Sequence, residues 1–191
     1  MADGRAAAAM VKIFMRQFPL VGAYLAMKPI LAVFWNICLL RRGPELVPTH
    51  PLFVGGVIVL NVLVGFFVGV QASEANAVQV ATSTLVSMAA IAMITWIALT
   101  ARGVVGRFPA TITAMFGCDL LFTSLIAVIV PIVGITSPVT VWTWALITIW
   151  TIAVYGFILH RAMNVTVFVG IVFSFCMAFI AIVLAGAASN R

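Results

Sequence analysis

The sequence predicts an all-α polytopic membrane protein, a helical bundle with five transmembrane helices. Of its 191 residues, 65% are apolar and only 7% are charged. A soluble globular domain has about a quarter of its residues charged, so that class is excluded. Apolar stretches of roughly 20 residues, each long enough to span a bilayer, recur five times along the chain. They leave few residues for a second, water-soluble catalytic domain.

Hydropathy places the five spans at residues 52–71, 77–100, 110–132, 139–159 and 164–186. Each can cross about 30 Å of hydrocarbon with some tilt, and the loops between them are short. We therefore divide the chain into three parts. They are a basic amino-terminal region (1–50), a five-helix transmembrane bundle (51–187) and a short tail (188–191).

The region before the first span is predicted to be helical but not to span the membrane. Residues 11–40 contain apolar positions interrupted by charge, and their longest clean run, 29–40, is too short to cross. Pro19 and Pro29 would break or kink a helix there. An interfacial amphipathic helical region is expected, and a re-entrant segment fits equally well.

The distribution of basic residues predicts the topology. Ten Lys and Arg stand against four acids, for a formal net charge of +6. Six cations precede the first span, and basic flanks then alternate with flanks that have none, up to Arg191. By the positive-inside rule, the amino terminus is cytoplasmic and the carboxyl terminus lies outside a bacterial cytoplasmic (inner) membrane. Five cations are expected to contact anionic lipid headgroups: Lys12, Arg16, Lys28, Arg41 and Arg42.

Aromatic residues are predicted to mark both membrane interfaces. Trp142 and Trp144 fall near the outer interface, and Trp96 and Tyr155 fall toward the inner one. This placement agrees with the topology derived from charge. No nucleic-acid partner is expected, because the basic residues accompany membrane spans rather than a soluble surface.

Residues that carry enzymatic or metal chemistry are sparse. Cys38, Cys118 and Cys176 are far apart with no C-x-x-C spacing, so we expect no disulfide and no metal site. The sequence has no glycine-rich phosphate loop, no H-E-x-x-H motif and no paired carboxylates. We therefore expect no cofactor and no enzymatic activity.

Asp119 is the one ionisable residue well inside a predicted span. It lies about ten residues, and so about 15 Å, into the third span, close to the bilayer middle. An intramembrane carboxyl group is a candidate proton or cation relay. The alternative is a structural role, in which a neutral Asp119 bonds to Asn61, Ser87 or Thr123 and joins helices.

Small residues recur at every fourth position in two spans, a spacing that lets helices approach closely. Gly65 and Gly69 follow Asn61 on one face of the first span. Gly170, Ser174 and Ala178 form a similar face in the fifth. We expect these faces to join helices within one chain.

Two short stretches resemble bacterial members of the Yip1-domain superfamily. They are Leu-Leu-Arg-Arg-Gly-Pro-Glu-Leu-Val-Pro at 39–48 and Gly-Val-Val-Gly-Arg-Phe-Pro-Ala-Thr at 103–111. The resemblance covers roughly residues 35–187 and implies a helical bundle with a cytoplasmic amino terminus. In eukaryotes the family is associated with membrane trafficking and small prenylated GTPases. The Tyr-Gly-Pro motif and extended cytoplasmic arm of those members are absent, so no GTPase-binding residue is carried over.

Two functions are compatible with these features. The first is a non-enzymatic scaffold or accessory subunit that packs against partner membrane proteins, or its own copies, and lipid. The alternative is a small proton- or cation-linked transporter or channel that uses Asp119, with Asn61, Ser87 and Thr123 as neighbours. The two differ in what Asp119 should face: a dry helix interface with amide or hydroxyl partners, or a cavity that water can reach.

Overall fold

A computed structural model describes residues 30–72, 75–134 and 137–189. Within these ranges the chain is helical, with no β-strand. The helices are α1 (residues 30–38), α2 (Pro51–Ala72), α3 (Ala77–Ala101), α4 (Phe108–Val133), α5 (Pro138–Met163) and α6 (Val167–Ser189), and single 3-10 turns precede α2 (Pro44–Leu46) and α4 (Val105–Arg107). Helices α2 to α6 are each long and apolar enough to cross a membrane. The five predicted spans are therefore confirmed as helices.

Helix boundaries differ from the predicted spans by at most four residues, because capping residues set the ends rather than hydropathy. At the start of α5, Ser137 Oγ accepts a hydrogen bond from the Val139 N–H at 3.3 Å. At its end, Asn164 adopts a left-handed conformation with φ of 52°. Consequently α5 extends to Met163, and α6 begins at Val167 rather than at residue 164.

The five long helices form a ring in the order α2, α4, α5, α6, α3. Helix α6 packs mainly against α5 and α3, whereas α4 packs mainly against α2 and α5. The α2 to α3 contact, which closes the ring, is less extensive. The alternating helix directions place Arg41, Arg102, Arg107 and Arg161 at one end of the bundle, here called the basic end.

The half of the bundle near the basic end is densely packed around α4. All eight residues from Thr111 to Cys118 are buried. They contact a core that includes Leu99 of α3 and Ile158 of α5, each with no exposed surface. The Arg107 Nη1 donates to the Ala162 carbonyl at 3.0 Å, which joins the start of α4 to the end of α5.

Helix α1 packs against the bundle through one of its faces. Phe34 stacks on Phe53 of α2, with ring centroids 6.3 Å apart, and Trp150 Nε1 of α5 donates to the Cys38 carbonyl at 3.0 Å. Its opposite face is also apolar, since Leu31 is 54% exposed and Trp35 is 59% exposed. The predicted interfacial amphipathic helix is thus not supported over residues 30–38. Residues 11–29, with Lys12, Arg16 and Lys28, lie outside the described ranges.

A glycine on α4 makes room for this docking. A Cβ atom at Gly117 would lie 2.1 Å from the Phe34 ring, so only glycine leaves space for the phenyl group. The adjacent Cys118 thiol contacts the Phe34 carbonyl at 3.9 Å and also the Cys38 thiol. Helix α1 therefore packs against α4 at Gly117 and Cys118.

Oxidation of the native cysteines should report this docking. Cys38 and Cys118 are buried in contact, whereas Cys176 is exposed on α6. A membrane-permeant copper–phenanthroline oxidant should join the first two within a single chain. The denatured protein should then take up one maleimide instead of three, and the Cys176→Ser variant should take up none. Three maleimide additions after oxidation would show that α1 does not dock as described.

Candidate functional site

The half of the bundle away from the basic end contains a partly open cavity of about 640 Å³, and all five long helices line it. Helix α5 contributes one stripe, formed by Trp144, Thr148, Thr151 and Tyr155 at helical spacing. A volume of this size matches the range of about 300–1,000 Å³ that small-molecule sites occupy.

Small residues of α2 and α6 line part of this cavity. Gly65 and Gly69 of α2 and Ala181 and Ala185 of α6 face this space. Toward the basic end the cavity ends at bulkier side chains, among them Met177, which is only 1% exposed. The ring of helices is therefore closed at one end and hollow at the other.

Asp119 lines this cavity and is bonded to one neighbour. The Asn61 Nδ2 donates to the Asp119 Oδ2 at 3.0 Å and to the Phe116 carbonyl at 2.9 Å. This amide joins α2 to α4. The second carboxyl oxygen, Oδ1, accepts no hydrogen bond from the described residues. Asp119 thus combines the amide partner expected of a structural residue with the cavity expected of a functional one.

The other predicted neighbours of Asp119 also line the cavity, but they do not bond to it. The Ser87 hydroxyl donates to the Thr84 carbonyl of its own helix at 2.9 Å rather than to Asp119. Thr123 lies one turn further along α4 and faces the same space. Of the three candidates, only Asn61 makes the predicted bond.

Most other hydroxyl groups that line the cavity donate hydrogen bonds to backbone carbonyl oxygens. Ser83, Thr84, Thr148 and Thr151 each donate to a carbonyl of their own helix at 2.8–3.0 Å. Ser174 of α6 donates to the Ile152 carbonyl of α5, also at 3.0 Å. The walls are consequently less polar than their composition indicates, and within residues 30–72, 75–134 and 137–189 Asp119 is the one acidic residue among them.

The small residues predicted to join helices lie inside the bundle. Gly69 packs against Val80 of α3, where a Cβ atom would lie 2.6 Å from the valine side chain. Gly170 of α6 lies against Gly156 of α5, where a Cβ atom would lie 2.3 Å from the Gly156 carbonyl oxygen. Ala178 lines the cavity. Gly156 is not marked by the four-residue pattern, because Ile152 and His160 stand four residues to either side of it.

Four aromatic side chains line the cavity: Phe116, Phe122, Trp144 and Tyr155. Tyr155 is 5% exposed and Trp144 is 39% exposed, and their predicted depths near the membrane interfaces stay predictions. Trp142, by contrast, is 71% exposed on the outside of the bundle. Trp144 and Tyr155 are separated by 11 residues, which is three helical turns. That spacing could have signalled their common face.

No group of three or more His, Cys, Asp or Glu side chains in the described ranges could hold a metal ion. Arg41 and Arg42 are exposed at the basic end, where the predicted contact with headgroups stays a prediction. The chain matches no protein-family model, no curated protein and no solved structure. The resemblance to the Yip1-domain superfamily likewise stays a prediction.

Proposed function

We propose that this protein is a non-enzymatic membrane transporter that takes a small solute into the cavity and moves protons through Asp119. One observation carries the proposal: a carboxyl group with one uncommitted oxygen faces a cavity of about 640 Å³ within the bundle. An intramembrane acid that faces a cavity is characteristic of ion and substrate pathways. A purely structural Asp would need its Asn61 partner but not the adjoining space.

The scaffold or accessory subunit is the second proposal. Its support is the outer face of α1, where the large apolar side chains of Leu31 and Trp35 project away from the bundle. The small-residue faces give it less support, because Gly69, Gly170 and Ser174 are used within the chain. Transport is therefore the function that the geometry favours.

We place the basic end of the bundle at the cytoplasmic face of a bacterial inner membrane. This proposal follows from the positive-inside rule and from the shared position of Arg41, Arg102, Arg107 and Arg161. The cavity then belongs to the outer half of the membrane. A Yip1-like assignment is compatible with this orientation, because both stretches that carry the resemblance lie at the basic end.

Filling the cavity should block transport. Ala178→Phe places a phenyl group in the cavity. Ile180→Phe adds one on the outside of α6, where the Ile180 side chain is 44% exposed. Wild-type protein in liposomes should dissipate an imposed pH gradient faster than protein-free vesicles, as measured with a trapped pH-sensitive dye. Ala178→Phe should reduce that rate to the protein-free level, and Ile180→Phe should leave it unchanged. A wild-type rate equal to that of protein-free vesicles would overturn the proposal.

A further inference from the structure

We infer that the solute bound in the cavity is a hydrophobic organic monocation, such as an amine or quaternary ammonium compound. This inference rests on the proposed function and adds the chemical class of the solute. Three features of the cavity carry it: its charge, its aromatic walls and its size.

The charged residues of the cavity favour a positively charged ligand. Among the lining residues that the structure describes, Asp119 is the one acid and none is Lys, Arg or His. A bound anion would therefore meet no positively charged side chain and would lie near a carboxyl group. A bound cation can pair with Oδ1 of Asp119, while Oδ2 still accepts the hydrogen bond from Asn61 Nδ2. Because a charge in an apolar site needs a partner, a single carboxylate favours a single positive charge.

The size and the apolar lining of the cavity favour an organic cation over a metal ion. Hard metal cations require several converging oxygen ligands within about 2.6 Å, in a compact site. The cavity is far larger than such a site, and most of its lining residues are apolar. Four aromatic side chains of the described residues line it (Phe116, Phe122, Trp144 and Tyr155), and aromatic rings attract organic cations. A ligand with apolar groups around one positive centre therefore complements the cavity.

A pair of ions with nearly the same shape tests the inference. Tetraphenylphosphonium and tetraphenylborate are both hydrophobic and of similar size but carry opposite charges. The full chain in nanodiscs should bind tetraphenylphosphonium above the level of empty nanodiscs in equilibrium dialysis, and it should not bind tetraphenylborate above that level. Asp119→Asn should weaken tetraphenylphosphonium binding at least tenfold, because it removes the negative charge and keeps the side-chain shape.

The possible outcomes separate the ligand class from the transport proposal. Equal binding of both ions, or tetraphenylphosphonium binding that Asp119→Asn leaves unchanged, would overturn the inference. Proton flux that depends on Asp119 without binding of tetraphenylphosphonium would overturn the ligand class and leave transport standing. Binding that depends on Asp119 without proton flux would support the ligand class and overturn transport.

Trp144→Leu should weaken binding several-fold if the ring contacts the cation, and the lipid-facing Trp142→Leu provides the matched control.

Discussion

Asp119→Asn should reduce proton flux in proteoliposomes to the level of protein-free vesicles while leaving the bundle folded. A carboxamide cannot take up and release a proton as a carboxyl group does, so the step linked to Asp119 is lost. Packing should persist, because the new amide oxygen can accept the hydrogen bond that Asn61 Nδ2 now donates to Oδ2. Interhelical hydrogen bonds in membranes are worth about 0.6 kcal/mol on average, so the stability change should stay below about 1 kcal/mol.

The two readouts of this variant separate function from structure. Flux is measured with the trapped dye, and stability is measured as the midpoint of denaturation in mild detergent. Asp119→Glu serves as the control, because it keeps the carboxyl group and should retain measurable flux. A misassembled Asp119→Asn protein would show that the carboxyl group itself is needed for packing. Unchanged flux would remove Asp119 from the transport pathway.

Gly170→Val should prevent stable packing of α6 on α5. A Cβ atom at position 170 would lie 2.3 Å from the Gly156 carbonyl oxygen and 3.1 Å from the His160 nitrogen. Both neighbours are backbone atoms, so the helices must separate to relieve the overlap. Overpacking typically costs about 1–3 kcal/mol, and a clash with backbone should fall at or above the top of that range.

Gly56→Val is the matched control for this prediction. It introduces the same β-branched side chain into α2, where a Cβ atom would have nothing within 4 Å. Size-exclusion chromatography in mild detergent should show a monodisperse peak for Gly56→Val and an aggregated or depleted one for Gly170→Val. Equal behaviour of the two variants would contradict the close contact between Gly156 and Gly170.

The helices were predictable from the sequence, because an apolar run of 20 residues leaves few alternatives to a spanning helix. Asp119 was predictable for a similar reason, since a single acid stands out within such a run. Its partner was not, because Asn61, Ser87 and Thr123 were equally plausible. The choice among them depends on the rotation and register of α2 against α4, which are set by packing.

The close contacts and the cavity depend on distant parts of the chain. Gly117 accommodates Phe34 across 83 residues of sequence, and no local pattern marks that contact. A cavity is defined by what several helices together leave unfilled, so no single stripe of residues predicts it. The hydroxyl groups likewise could be identified from the sequence, whereas their bonds to backbone carbonyls could not.

Water access to the cavity is the most direct test of the proposed function. Ser87→Cys and Leu85→Cys place thiols at similar depths on α3. Ser87 lines the cavity, whereas the Leu85 side chain is 54% exposed on the outside of the bundle. Both are made in a Cys176→Ala background. Charged methanethiosulfonate reagents react with thiolates, which form in water rather than in lipid. We predict that Ser87→Cys reacts and Leu85→Cys does not. If Ser87→Cys is as unreactive as Leu85→Cys, the cavity is dry, Asp119 joins helices only, and the transport proposal is wrong.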